Sequence, residues 1–426
     1  MLNFSMIELI RRKGRKFDKE MKRHMVHFYR PFRFVPCFLH RPLESIRKRR
    51  KKLPVIIHFK HDSYEYGLND VTKTKHRGLK EFPSISSCSA KLSVKDIEKL
   101  ADKCSHINKI YHDRKVTALL DTATPAINAV QLHESGLTGK NVTVAVVDTG
   151  IYPHEDIKGR ISGFKDFVNN KTEPYDDNGH GTHCAGDAAG NGALSDGKYK
   201  APAPDANVVG VKVLNKTGAG ALSTVIEGVE WCIQNKAAHA IDILSLSLGT
   251  NAMESAEDDP VVKSVEAAWD NGIVVCTAAG NTGPEKQTIA SPGISPKVIT
   301  VGATDDQNTT NRSDDTVADF SSRGPTIDGV TKPDLLTPGA NIISLRAPGS
   351  YIDRTNKMAR VDQYYFSLSG TSMATPICAG VAAQLLQNSP NLTPDQVKDH
   401  LKNASEDIGL PPNVQGSGYL DASNLR

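Results

Sequence analysis

The sequence predicts an α/β protein built on a parallel sheet covered by helices on both faces. Two observations carry this. From Asn141 onward, apolar runs rich in β-branched residues recur: V-T-V-A-V-V-D, N-V-V-G-V-K-V-L, I-D-I-L-S-L-S, G-I-V-V-C-T-A and K-V-I-T-V-G-A. Between them lie segments with the helical spacing of apolar residues, such as A-L-S-T-V-I-E-G-V-E-W-C-I-Q and P-V-V-K-S-V-E-A-A-W-D. Strands apolar on both faces belong inside a parallel sheet, and the alternation with helices supplies its two coverings. In such folds chemistry gathers at the carboxyl ends of the strands. The 426 residues, 38% hydrophobic and 23% charged, suffice for one large domain and smaller segments.

Residues 1–52 read as a basic, aromatic arm that ends in R-K-R-R-K-K. Residues 1–53 carry 17 Lys and Arg against 4 Asp and Glu; the whole chain is at +4, so the remainder is acidic. A secretory signal places its charge before an unbroken apolar run. Here the order is reversed: a short stretch broken by Asn3, Ser5 and Glu8 precedes the basic run Arg11–Arg23. No run of 18 apolar residues occurs, so no membrane span is expected. Nothing in the arm matches a nucleic-acid-binding motif, and a solvated arm with neither a nucleic-acid nor a membrane partner is expected.

Residues 53–120 read as a small α+β unit. L-P-V-I-I-H-F and C-S-A-K-L have strand character. Ser93 then caps a helix, V-K-D-I-E-K-L-A-D-K, with Ile97 and Leu100 on one side, and H-I-N-K-I-Y is a further strand. Residues 121–426 form the main domain, closing with a helix from Pro394 to Leu401. The seven cysteines, Cys37, Cys88, Cys104, Cys184, Cys232, Cys276 and Cys378, are scattered and form no C-x-x-C pair. Buried, reduced thiols of a cytoplasmic protein are expected, and no zinc site.

Three segments carry chemistry. D-T-G-I begins at Asp148, at the carboxyl end of the first main strand; N-G-H-G-T-H-C-A-G contains His180; S-G-T-S-M-A-T-P contains Ser372. Acyl transfer through serine needs a nucleophile, a base for its proton, and a buried carboxylate to hold the base in one tautomer. Each segment supplies one part. Ser372 opens an apolar helical run, where the positive end of the helix dipole favours charge developing during attack. Singly, each segment has a structural explanation: a turn after a strand, one of 14 histidines, a helix cap. Together, in the order Asp, His, Ser, they point to a serine hydrolase.

On these motifs the chain resembles the subtilisin-like serine proteases, or subtilases (peptidase S8 type), from about Leu119 to the C-terminus. Within that family it resembles the intracellular members of bacilli over nearly its full length. The resemblance implies a serine endopeptidase with Asp148, His180 and Ser372 as its triad. It gives Asn281, in A-A-G-N-T-G, the role of oxyanion donor, which suits a neutral carboxamide. It implies that S-L-S-L-G, with Ser247, Leu248 and Gly249, pairs with the substrate as an added strand. With Ala278 and Gly280 these residues wall the pocket for the residue before the scissile bond. Thr250 departs from the family's frequent second glycine. With no acidic residue placed at the pocket base, a preference for large apolar residues there is expected. The partners implied are protein and peptide substrates, and residues 53–120 as an intramolecular inhibitory propeptide, released by cleavage close to Leu120. No cofactor is required. Asp156, in H-E-D-I, stands at a calcium-ligand position of many subtilases. The loop that gives the other ligands is different here, G-N-G-A-L-S-D-G-K-Y-K, and defines no ligand set.

Other readings are weaker. A metal-dependent hydrolase lacks an H-E-x-x-H or similar cluster. A binding protein on a dead protease fold is disfavoured because all four expected positions are intact.

Overall fold

The structure, a computed structural model, describes residues 9, 12–28, 40–60, 63–113, 115–118, 126–307 and 312–425. The chain divides into two compact units, Met1–Arg114 and Lys115–Arg426.

The smaller unit is an antiparallel sheet with helices. Its strands are β1 (Lys52–Phe59), β2 (Arg77–Phe82), β3 (Ser87–Ser93) and β4 (Ile107–His112), in the order β2-β3-β1-β4. Ile57 on the central strand pairs with Cys88 on one side and Ile110 on the other. The Ser93 hydroxyl accepts the Asp96 amide at 3.1 Å and starts the helix Val94–Lys103, which buries Ile97 and Leu100. The basic segment expected as an arm contributes Leu9, Phe17, Met21, Met25 and Phe28 to the same core as Val55, Ile57 and Ile110. The charge run had suggested solvation, but its apolar residues recur at helical spacing and are buried here.

The larger unit opens with β5 (Lys115–Ala118) and continues with β6 (Thr143–Asp148), β7 (Ile161–Asp166), β8 (Asn207–Lys212) and β9 (Ala219–Ala221). After these come β10 (Ile243–Leu246), β11 (Leu248–Asn251), β12 (Val274–Ala278), β13 (Ala290–Ser291), β14 (Ile299–Asp305), β15 (Thr316–Val317) and β16 (Leu335–Pro338). The last are β17 (Ile342–Leu345), β18 (Tyr365–Leu368), β19 (Ser405–Glu406) and β20 (Tyr419–Leu420). The main sheet runs β19-β20-β16-β14-β12-β10-β6-β8-β7, parallel from β20 through β7. Val144–Val147, Val208, Ile243, Leu244 and Val275 are buried at its centre because helices cover both faces. The fold class read from the sequence is the one observed.

Two helices matter for the site. The histidine helix, His180–Ala189, is buried along its whole length and packs on β6 and β17. The serine helix, Thr371–Asn388, crosses β10, β12, β14 and β16 and packs against the histidine helix. A second small sheet has the order β13-β11-β5-β9, with β5 antiparallel to both neighbours. Among the described residues no helix is long and apolar enough to cross a membrane.

Candidate active site

Asp148 is the last residue of β6, at the carboxyl end of the sheet, and is fully buried. Its Oδ1 accepts the Thr149 amide at 2.7 Å and the His180 Nδ1–H at 2.8 Å. His180 begins its helix, and Asn178 Oδ1 caps the His180 amide at 3.1 Å. Gly181 permits the close approach: a Cβ there would lie 2.3 Å from the Gly150 carbonyl. Asp176 ties the two segments together. Its carboxylate accepts Thr149 Oγ1 at 3.0 Å, the Asn178 and Gly179 amides, and both the amide and hydroxyl of Thr182. Burial disfavours the His180 imidazolium, but the adjacent Asp148 carboxylate, with Cys184 beside it, favours the charged form, and the pKa stands well above the usual 6.5.

Ser372 is the second residue of the serine helix, where unsatisfied amides and the helix dipole lie. Its hydroxyl donates to the Ser247 carbonyl at 3.3 Å. Pro376, four residues on, has no N–H to offer the Ser372 carbonyl. That carbonyl instead accepts Ser247 Oγ at 2.5 Å and the Cys184 thiol at 3.5 Å. The proline in G-T-S-M-A-T-P thus frees the acceptor through which β11's approach and the histidine helix grip the serine.

Asn281 lies just past β12. Its Oδ1 accepts both the amide (2.9 Å) and the hydroxyl (3.0 Å) of Thr371. The Gly280 amide in turn donates to Thr371 Oγ1 at 3.1 Å. Gly280 has φ +114°, and a Cβ there would lie 2.8 Å from Ser322 Oγ. Gly249, Thr250, Asn251, Gly280, Asn281, Thr282 and Ala290 line a cavity of about 240 Å³. Gly249 and Gly280 thus lie in the lining of this cavity. Ser247 is buried beside Ser372, Leu248 pairs with Ala118, and Ala278 ends β12 in the core. Sequence reasoning missed Asp176, Thr182 and Thr371. Thr182 and Thr371 sit inside motifs that were noticed, whereas Asp176 lies two residues before Asn178, and its Thr149 partner, like the Asn281 partner of Thr371, is distant in the chain.

At the expected calcium position, Asp156 Oδ2 accepts the Tyr365 hydroxyl at 2.7 Å and Oδ1 accepts the Leu194 amide at 3.1 Å. Both oxygens face proton donors, whereas calcium needs six to eight oxygen lone pairs. This donor set does not fit the ion.

Fold and site together are those of a serine protease with its triad in the order Asp, His, Ser. The chain belongs to the subtilase family, whose "Subtilase family" model matches residues 139–418. It is 54% identical to the serine protease AprX of Bacillus subtilis, over 100% of this chain and 99% of that protein. It is 36% identical to the M-protease of Shouchella clausii, over 81% of this chain and 80% of that one. It is also 36% identical to subtilisin BL of Lederbergia lenta, over 70% of this chain and 94% of that one. The chain is a serine endopeptidase acting on protein substrates. Subtilases need no cofactor for this chemistry.

Proposed function

We propose that Ser372 attacks the peptide carbonyl, His180 takes and returns the proton, Asp148 orients the imidazole, and Asn281 binds the oxyanion. The observation that carries this is the fully buried 2.8 Å bond from His180 Nδ1 to Asp148. A carboxylate can only accept, so Nδ1 holds the proton and Nε2 keeps its lone pair for the serine proton. The same carboxylate stabilises the imidazolium formed during attack. With its oxygen end held by two Thr371 donors, the Asn281 amide offers its NH₂ end to the developing oxyanion. Mass spectrometry after exposure to a serine-directed phosphonylating inhibitor tests the assignment. The expected adduct sits on Ser372 and is absent from Ser372→Ala; an adduct on another serine overturns it.

The preference for large apolar residues before the scissile bond finds support in the neutral lining of the 240 Å³ cavity, which includes no charged side chain. A peptide library cleaved strictly after Lys or Arg contradicts it.

The enzyme is further proposed to be a zymogen that cleaves itself, with residues upstream of the cut acting as inhibitor until degraded. The expected bond near Leu120 lies outside the described residues. Support comes from β5, whose backbone lies between β9 and β11, where Thr117 pairs with Gly249 and Ala118 with Leu248. Ser247, the neighbour of Leu248 in the chain, meets Ser372 Oγ through its carbonyl. Leu119 or Leu120 is proposed as the residue before the scissile bond. N-terminal sequencing of the active enzyme should find a start close to Leu120; an active form that retains Met1 ends the proposal. An intracellular setting is proposed on the six buried free thiols among the described residues.

A further inference from the structure

The disagreement at Asp156 has a positive side. Asp156 is fully buried, and three segments converge on it. Besides the Tyr365 hydroxyl and the Leu194 amide on its carboxylate, its backbone carbonyl accepts the Asn191 amide at 3.1 Å. The Arg160 guanidinium donates to that same carbonyl at 2.5 Å, and also to the Ala189 (2.7 Å) and Ala206 (2.6 Å) carbonyls. Carbonyl oxygens that could turn toward a metal are thus already held by an organic cation. His154 adds no ligand. Its Nδ1 accepts the Asp156 amide at 3.1 Å, which leaves the ring proton on Nε2, facing the Tyr364 carbonyl at 3.0 Å. Among the described residues no cluster of three carboxylate, imidazole or thiol ligands forms around Asp156.

Tyr365 is the first residue of β18, the strand that runs directly into Ser369–Ser372. It is fully buried, with the Tyr199 ring 4.7 Å from its own. Burial, reinforced by the Asp156 charge, holds the phenol's pKa well above its usual value, so its proton stays available to the carboxylate.

We propose that in this chain the Tyr365 hydroxyl stands where a subtilase could hold a cation at Asp156, so that the loop Asn191–Tyr199 and the strand leading to Ser372 are joined by hydrogen bonds instead of calcium. Tyr365 and Asp156 lie 209 residues apart, and this bond with the Leu194 amide cross-links the three segments a metal would have joined.

The test is thermal unfolding of the full chain carrying Ser372→Ala, which prevents autolysis. Chelation with EDTA and addition of millimolar calcium chloride are compared. A cation bound at roughly 1,000 times its Kd would raise Tm by roughly 5–10 °C. The expected result is either no calcium effect, or an effect of equal size with Asp156→Asn added, which would place the ion elsewhere. A rise in Tm that vanishes with Asp156→Asn overturns the proposal. Should Asp156→Asn not fold, Tyr365→Phe carries the test, because it keeps the ring and removes one oxygen. It is expected to lower Tm by roughly 2–6 °C with EDTA and with calcium alike. A Tm equal to that of the parent overturns the proposal.

Discussion

Cys184 Sγ lies 3.7 Å from His180 Nδ1 and donates to the Ser372 carbonyl at 3.5 Å. The thiol is one helical turn beyond His180 and touches both sides of the site. Burial pushes its pKa up to about 11, against the pull of His180. At pH 7 the thiolate is therefore about one part in ten thousand. Iodoacetamide is expected to inhibit slowly, whereas a mercurial at Cys184 should displace the His180 ring and abolish turnover. Cys184→Ala should keep most activity and lose the mercurial sensitivity; equal sensitivity in that variant would assign the effect to another thiol.

Replacing Ser372 or His180 by Ala should lower kcat by roughly six orders of magnitude, a figure that belongs to subtilisin, itself of this family. Asn281→Ala should cost roughly two to three orders, again subtilisin's figure. Steady-state kinetics on a fluorogenic peptide decide both. Unchanged turnover in Ser372→Ala would remove the proposed mechanism.

Thr371 holds the oxygen end of Asn281 with two donors and accepts the Gly280 amide. Thr371→Val removes one of those donors and that acceptor while keeping the side-chain shape. A fall in kcat on the order of tenfold is expected, with KM little changed, because the lost bond positions a group used in the transition state. Thr371→Ser should restore the rate. A change confined to KM would show that Thr371 serves substrate binding instead.

A general base works only when unprotonated, and Asp148 raises the His180 pKa above 6.5. The acid limb of kcat/KM should therefore fall above pH 6.5 in the native enzyme. In Asp148→Asn the residual activity should show its limb at lower pH, since the neutral amide no longer stabilises the imidazolium. Coincident limbs would separate Asp148 from the titration.

Lys332 Nζ is buried between Asp334 Oδ2 (2.5 Å) and the Val298 carbonyl (2.9 Å). Burial, opposed by Asp334, pulls its pKa down to about 8 from 10.5. Between pH 8 and 10.5 the unfolded chain keeps a proton that the folded one has released, so this group adds stability as pH rises through that window. Denaturant titrations of the Ser372→Ala protein at the two pH values should show it. Adding Lys332→Met should flatten the slope relative to the parent; an equal slope would place the titration elsewhere.

Much of this protein was legible in its chain. Val144–Val147 and Val274–Cys276 announce central parallel strands, since a strand buried on both faces must be apolar along its length. Ser93 announces a helix start because capping is a local matter of three residues. Asp148, His180 and Ser372 stood out because each lies at the end of a strand or the start of a helix, in a short motif whose glycines and neighbours are local requirements. The weak strands β7 and β2, with their Gly, Lys and Ser, had no such signature, and β5 is a strand only through its partners β9 and β11. Tertiary structure alone decided which side chains meet. Asn281 finds Thr371 90 residues away, and Asp156 finds the Tyr365 hydroxyl 209 residues away. The reason is physical: periodicity and turn chemistry act over a few residues, whereas the partner of a buried polar atom is set by sheet order and register, which join segments far apart in the chain.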